Sequence, residues 1–190
     1  MTQQTKARVE EHVVNGVTVD TVMGIVGAIE DNSDNAHFQF RLNNHWINGG
    51  LNRSRIKEYF ALGQEDETRS EPFIIDADEP LVNSGGDSCP NPMEYVLHSL
   101  ASCLTSTLVY HAAVQGIAIE SVQSYLEGDL DVRGMLGLSE DSRKAYNAVR
   151  VRMRVKSGAD ADTLRELALF SPVHDMISKS LPVDFDLVKL

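Results

Sequence analysis

Two cysteines are the side chains of this sequence best suited to nucleophilic chemistry, and they lie in different settings. Cys89 follows a Gly- and Ser-rich loop, whereas Cys103 lies inside a long apolar segment. A thiol reacts as its thiolate, which a nearby cation or helix N-terminus stabilises. Cys103 is too far from the start of its segment for that dipole to act, so an Arg or His from elsewhere must do so. The competing interpretation of Cys103 is an inert core residue, because unpaired cysteines are often buried.

The sequence contains no motif that is typical of another kind of catalytic centre. A zinc site is not predicted, because there is no HExxH motif and no second cysteine at ligand spacing. There is no GxSxG motif for a serine triad, and Gly85-Gly86 lacks the flanking residues of a phosphate loop. The acidic run at 76–79 is predicted to be a solvated turn. We therefore expect neither a metal nor another cofactor.

A long helix is predicted to carry Cys103. Asn91 is a strong N-cap residue, Pro92 suits the first helical position, and Glu94 completes a capping box. No Pro or Gly follows until Gly116, which suits the left-handed residue that ends helices. One side of the helix is an apolar stripe predicted to lie in the core, formed by Val96, Leu97, Leu100, Leu104 and Leu108.

The two cysteines are not predicted to pair within one chain. Residues 92–103 alone span about 16 Å of helix, whereas bridged Cα atoms lie within about 7 Å of each other. Free thiols fit a reducing compartment, and the sequence shows neither a signal peptide nor a run of about 18 apolar residues. A formal net charge of −11 disfavours nucleic acids and anionic membranes. We therefore expect a cytoplasmic protein that binds neither nucleic acid nor membrane.

The remaining segments predict a mixed α+β chain. A short amphipathic helix capped by Thr18 precedes a predicted half-buried strand, in which Phe38, Phe40 and Leu42 alternate with polar residues. The glycines at 49–50 are predicted to turn a hairpin. The other predicted elements are strands at 72–75, 117–135, 148–156 and 183–187, a helix from Asp160, and a break at Ser171-Pro172. The Arg-rich strand at 148–156 is predicted to present its charges to solvent.

The helix that carries Cys103 resembles the central helix of the OsmC/Ohr family. Its opening, Asn91-Pro92-Met93-Glu94, is similar to the family's Asn/Ser-Pro-x-Glu motif, which leads after the same interval to a peroxidatic cysteine. Further resemblances are the hairpin Gly49-Gly50, the loop Gly85-Gly86 and the late segment Ser171-Pro172-Val173. The resemblance covers residues 36–190, taken as one OsmC-like domain, and leaves residues 1–35 as an N-terminal helical extension.

The resemblance implies the OsmC-like fold, with antiparallel sheets around a long central helix, and an intertwined homodimer with active sites at the subunit interface. Well-studied members reduce organic hydroperoxides: a thiolate attacks the peroxide, a second cysteine resolves the sulfenic acid, and dithiols restore the pair. By this resemblance Cys103 is the catalytic thiol, Arg53 or Arg55 is its activating cation, and Glu94 is a further site residue.

Three departures from the family pattern bear on this activity. Ser171 stands where the resolving cysteine is expected, so an external thiol must resolve any sulfenic acid. The family's peroxidase branch has a Glu directly after Asn-Pro, where this chain has Met93, and Glu94 faces about 100° away around the helix, which leaves it a capping role. Arg53 and Arg55 both lie near the position of the family's arginine, and neither aligns with it cleanly.

Three functions follow as hypotheses. The first is a one-cysteine, thiol-dependent reductase of organic hydroperoxides in oxidative stress defence, with an external thiol as reductant. The alternative is a binding protein that holds a small apolar or acyl ligand at the dimer interface, with Cys103 packed and inert. A thiol transferase or redox sensor that uses Cys89 is a third hypothesis.

Overall fold

The computed structural model describes residues 11–180 and 182–190 and has the predicted α+β architecture. The strands are β1 (Val13–Val14), β2 (Val17–Thr18), β3 (Gln39–Phe40), β4 (Asn43–Asn48), β5 (Leu51–Ile56), β6 (Tyr59–Ala61), β7 (Gln64–Glu65), β8 (Phe73–Ala77), β9 (Ile119–Leu130), β10 (Tyr146–Ser157) and β11 (Val183–Lys189). The helices are α1 (Val19–Asp31), α2 (Pro92–Val114), α3 (Val132–Met135), α4 (Ala161–Leu169) and α5 (Pro172–Ser178). The described strands pair in the orders β1-β2, β3-β6-β7, β4-β5-β8 and β11-β10-β9.

The main core lies between the sheet β11-β10-β9 and the helices α2, α4 and α5. Strand β10 runs antiparallel to β9 and parallel to β11. Its inward side chains are fully buried, whereas the alternating arginines face outward at least in part, as predicted: Arg150, Arg152 and Arg154. On α2 the inward side chains are Leu100, Leu104 and Leu108, each 0% exposed. Burying one such leucine contributes about 1.5–3 kcal/mol.

The start and end of α2 confirm the sequence prediction. The Asn91 side chain accepts a hydrogen bond from the Glu94 amide at 2.9 Å, and the Glu94 carboxylate accepts one from the Asn91 amide at 2.8 Å. The helix ends before Gly116, whose φ of +69° is left-handed. The position of Cys103 in the fold is therefore fixed by local sequence.

The predicted hairpin is confirmed as β4 and β5, with Asn48 paired to Leu51 and with Gly49 at φ +56°. The strand predicted from Phe38 to Leu42 was largely wrong. Only residues 39–40 pair with β6, and Phe40 is 70% exposed. Alternation shows that one side of a segment is apolar, but none of the other residues that the structure describes covers that side.

Of the one or two strands predicted over 117–135, the structure has the single strand β9, which ends at Leu130. Residues Val132–Met135 instead form the short helix α3, because the Asp131 carboxylate accepts a hydrogen bond from the Arg133 amide at 3.0 Å and caps the turn. Gly134 packs so tightly there that a Cβ would lie 2.4 Å from the Ser142 carbonyl oxygen. The segment therefore turns away from the sheet.

The N-terminal segment begins with the strands β1 and β2 and continues into the predicted helix, now α1. The first ten residues of the predicted extension lie outside the described residues. Thr18 is at the N-cap of α1 but makes no side-chain capping hydrogen bond. Val17 and Val19 pack against Ala113 near the end of α2. Among the described residues, no helix is long and apolar enough to cross a membrane.

Candidate functional site

Cys103 lies at the edge of the buried stripe of α2. Leu100 and Leu104 are fully buried, but Cys103 between them is only half-buried. Its sulfur lies 4.0 Å from Thr107 Oγ1, one turn further along the helix. Within residues 11–180 and 182–190, no cationic side chain makes a hydrogen bond to this sulfur. Cys103 is therefore partly exposed, at the boundary between the core and the surface of α2.

Arg53 and Arg55 lie two residues apart on β5, so they point to the same side of the sheet β4-β5-β8. Arg53 is already paired: its Nε and Nη2 each donate to Asp76 at 2.7 Å. This guanidinium lowers the pKa of Asp76. Arg55 is exposed and makes no side-chain hydrogen bond or ion pair among the described residues. The structure thus distinguishes two arginines that the sequence could not.

A grouping that the sequence did not predict forms around Asp76. The Tyr95 hydroxyl of α2 donates to the Asp76 carbonyl at 2.6 Å. Arg53 is held by the Asp76 carboxylate, which raises the pKa of Arg53. Within its own chain, the Arg53 guanidinium is therefore paired with Asp76 and not with the Cys103 thiol.

The acidic run at 76–79 is not a solvated turn as predicted. Asp78 is 3% exposed, and it accepts hydrogen bonds from the Glu79 amide at 2.8 Å and from the Ser88 hydroxyl at 2.8 Å. The Ser88 hydroxyl, followed by backbone amides, lowers the pKa of Asp78. A Cβ at Gly50 would lie 3.1 Å from Asp78 Oδ1, and one at Gly86 would lie 2.8 Å from Oδ2. Asp78 therefore joins the hairpin turn to the loop that leads into α2.

Ser171 is fully buried at the corner between α4 and α5. Its hydroxyl accepts a hydrogen bond from the His174 amide at 3.1 Å and so caps α5. Burial lowers the pKa of His174. The Ser171 hydroxyl therefore has a structural role. Glu94 likewise serves the α2 cap, at the rim of a hollow of about 440 Å³ that Pro90, Tyr95 and His98 also line.

A second hollow, of about 450 Å³, opens on α2 beyond Cys103. Its lining comes from α2 and from the corner between α4 and α5: Ser106, Thr107, Tyr110, His111, Phe170 and Pro172. The rings of His111 and Phe170 stack with centroids 4.5 Å apart and an angle of 18°. Only the α2 side of this hollow could be predicted from the sequence, because residues 106, 107, 110 and 111 follow Cys103 at helical spacing. Among the described residues, no cluster of three His, Cys, Asp or Glu side chains is arranged to hold a metal.

The fold and the Cys103 motif together define the class of protein. Residues 85–186, more than half of the chain, match the OsmC-like protein family, and the chain belongs to that family. An OsmC-like protein from Mycoplasma pneumoniae has a similar structure, with a TM-score of 0.57 at 14% identity over 80% of this chain and 97% of that one.

The organic hydroperoxide resistance protein OsmC from Legionella pneumophila is also similar. Its TM-score is 0.54 at 16% identity, over 79% of this chain and 96% of that one. The predicted OsmC-like fold is thereby confirmed, and at these identities the likeness concerns the fold alone. No curated protein sequence matches the chain.

Proposed function

We propose that this protein reduces organic hydroperoxides at Cys103, with an external dithiol as reductant. The observation that carries the proposal is the setting of the thiol, half-buried beside an open hollow, where a core cysteine would be sealed among the leucines. Family membership and the name of the Legionella neighbour, an organic hydroperoxide resistance protein, agree with this chemistry.

The reaction uses one cysteine of the chain. The Cys103 thiolate attacks the terminal peroxide oxygen, so that an S–O bond forms, the O–O bond breaks, and the alkoxide takes a proton and leaves as the alcohol. One thiol of an external dithiol then attacks the sulfenic sulfur and releases water. The second thiol displaces Cys103 from the mixed disulfide. The dithiol is oxidised and the peroxide is reduced, and Ser171 takes no part in the electron transfer.

We assign the activating cation to Arg55 from a second copy of the chain. Arg53 is committed to Asp76, whereas Arg55 is exposed without a described partner. On the same face of the sheet, Ile74 lies directly opposite Arg55 and is 48% exposed. The other face of this sheet exposes Trp46 at 72% and Phe73 at 58%. Exposed apolar patches of this kind are typical of interfaces. A homodimer that covers this sheet would bring a free guanidinium to the thiol.

The test of the reaction is peroxide consumption with cumene hydroperoxide and dithiothreitol. Wild-type protein is expected to turn over, and Cys103→Ser is expected to show only the uncatalysed rate. A sulfenic acid at position 103 is expected to be trapped by dimedone and located by mass spectrometry. Equal rates for the two proteins would exclude this function.

The arginine assignment has its own matched pair of variants. Arg55→Ala is expected to lower the rate about a hundredfold, the usual effect of removing one group that stabilises a catalytic anion. Arg53→Ala is expected to lower it far less, because that guanidinium is bound to Asp76. Sedimentation of both variants checks that the dimer persists. Losses of the same size in the two variants would contradict the assignment to Arg55.

A binding protein is the second function that one observation favours. Among the described residues, no cationic side chain bonds to the Cys103 sulfur, yet the hollow beside it is open and partly aromatic. On this alternative Cys103 is inert and the hollow holds a small apolar ligand. Native mass spectrometry of freshly purified protein would then show a constant added mass, which a hydroperoxide reductase at rest would lack.

A further inference from the structure

The hollow beside Cys103 has walls that would select among hydroperoxides, and the inference drawn from them rests on the proposed function. We propose that this hollow is a subsite for an aromatic ring, so that the preferred substrates are uncharged aryl hydroperoxides, and that Phe170 and Tyr110 are the residues that determine this preference. Three observations carry the proposal, namely the closeness of the hollow to the thiol, the shape of its walls and the distribution of charge around it.

The hollow lies next to the reacting atom. Thr107 lines the hollow, and its Oγ1 lies 4.0 Å from the Cys103 sulfur. Tyr110 and His111 follow Cys103 by seven and eight residues, two turns along the same side of α2. That distance is about 10 Å along the helix axis, room for one ring beyond the peroxide group. A substrate with its peroxide at the sulfur therefore places its substituent in the hollow.

The walls of the hollow are aromatic rings, one of which is held in place by stacking on another. Phe170 stacks on His111 and is still 65% exposed, so one of its faces remains open. Tyr110, 51% exposed, stands on the helix beside this pair. Pro172 begins α5 directly after the buried Ser171, which fixes the corner that presents Phe170. Rings prefer offset-stacked or edge-on contacts with other rings, and such surfaces favour a planar substituent over a flexible alkyl chain.

The charge around the hollow disfavours anionic substrates. The residues that line it include no Lys or Arg among those that the structure describes. On the other side of Phe170, the carboxylate of Glu166 lines a neighbouring hollow together with Leu169. The formal net charge of the chain is −11. Apart from the Arg55 guanidinium proposed at the thiol, the hollow therefore offers no cation to a carboxylate such as that of a fatty-acid hydroperoxide, whereas a neutral aryl hydroperoxide needs none.

The experiment compares cumene hydroperoxide, which carries a phenyl ring, with tert-butyl hydroperoxide, which carries none. We expect wild-type protein to prefer cumene hydroperoxide in kcat/KM, and Phe170→Leu to lower the ratio of the two values about tenfold, as the loss of one ring contact allows. Phe170→Tyr keeps the ring and is expected to keep the ratio. Tyr125→Leu is the control, because Tyr125 is an equally exposed aromatic residue on β9, away from the hollow.

A binding measurement separates this inference from the proposed function. Cumyl alcohol, the unreactive product, is titrated into Cys103→Ser protein and followed by NMR, where the ring signals of Tyr110, His111 and Phe170 are expected to shift. Shifts at these rings without any turnover of peroxide would overturn the proposed function and keep the subsite. Turnover with an unchanged substrate ratio in Phe170→Leu, and with no shifts at these rings, would overturn the subsite and keep the function.

Discussion

Substitution of Asn15 tests most directly whether the N-terminal segment is held against the rest of the fold. Its side chain amide donates to the Ile117 carbonyl at 2.9 Å, and its oxygen accepts from the Ile119 amide at 2.8 Å. These two bonds fix the turn between β1 and β2 to the connection between α2 and β9. Asn15 itself has a φ of +54°, a left-handed conformation that Asn tolerates better than most residues.

Two variants separate the two contributions of Asn15 to stability, its side-chain hydrogen bonds and its tolerance of a left-handed backbone. Removing two neutral hydrogen bonds costs about 2 kcal/mol, and forcing Ala into the left-handed conformation costs about 1 kcal/mol more. Asn15→Ala is therefore expected to destabilise the docked segment by about 3 kcal/mol, and Asn15→Gly by about 2 kcal/mol. Because about 1.4 kcal/mol corresponds to a tenfold change, the opening equilibrium of the segment shifts about a hundredfold for Ala.

Hydrogen exchange of the backbone amides of α1 is the suitable assay, because a docked segment can open without global unfolding. We expect exchange in α1 to accelerate most in Asn15→Ala and less in Asn15→Gly, while amides of β10 change little. Equal exchange in α1 for the wild type and both variants would refute the view that Asn15 fixes this segment. Equal acceleration in α1 and β10 would show instead that the segment and the core unfold as one unit.

Three further predictions concern the scaffold around the site. Gly85→Ala is expected to disorder the loop before α2, since its Cβ would lie 1.8 Å from the Glu79 carbonyl oxygen, and limited proteolysis would detect a new cleavage there. The Ser88 hydroxyl lowers the pKa of Asp78 in the folded protein, so the ionised Asp78 stabilises the fold. This stabilisation is fully present above the unfolded pKa of about 3.9 and is lost as pH falls through the lower pKa of the folded state. Below about pH 4, the melting temperature of Asp78→Asn is thus expected to depend less on pH than that of the wild type. Leu104→Ala is expected to cost about 3 kcal/mol in urea unfolding, because this fully buried side chain leaves a cavity.

Sequence could predict the features that depend on local chain chemistry. The capping box of Asn91 and Glu94 involves residues three apart, so its signal lies within one turn. The place of Cys103 on α2 follows from that start. The Arg53–Asp76 pair joins residues 23 positions apart on neighbouring strands, and only the register of β5 against β8 brings them together. No local pattern encodes that register, so the two candidate arginines could not be distinguished in advance.

Burial was predicted poorly where distant segments decide it. Asp78 lies in an acidic run typical of solvent, but Gly50 and Gly86 approach it from two other parts of the chain and close off water. Phe40 shows the opposite error, since the apolar alternation around it predicts burial, yet Phe40 is 70% exposed in the described part of the chain. The aromatic hollow needs the corner at Phe170, about 60 residues beyond α2, and was not foreseen for the same reason.

Ser171 helps to shape the hollow beside Cys103 through its cap of α5. Its buried hydroxyl caps α5, a task for which Ser is among the preferred residues and Cys is not. That cap holds the corner at which Phe170 stacks on His111. The serine at position 171 therefore stabilises a wall of the hollow. Since Leu100 and Leu104 seal the inner side of Cys103, an external thiol can approach its sulfur only from the exposed side of α2, the side on which the hollow opens.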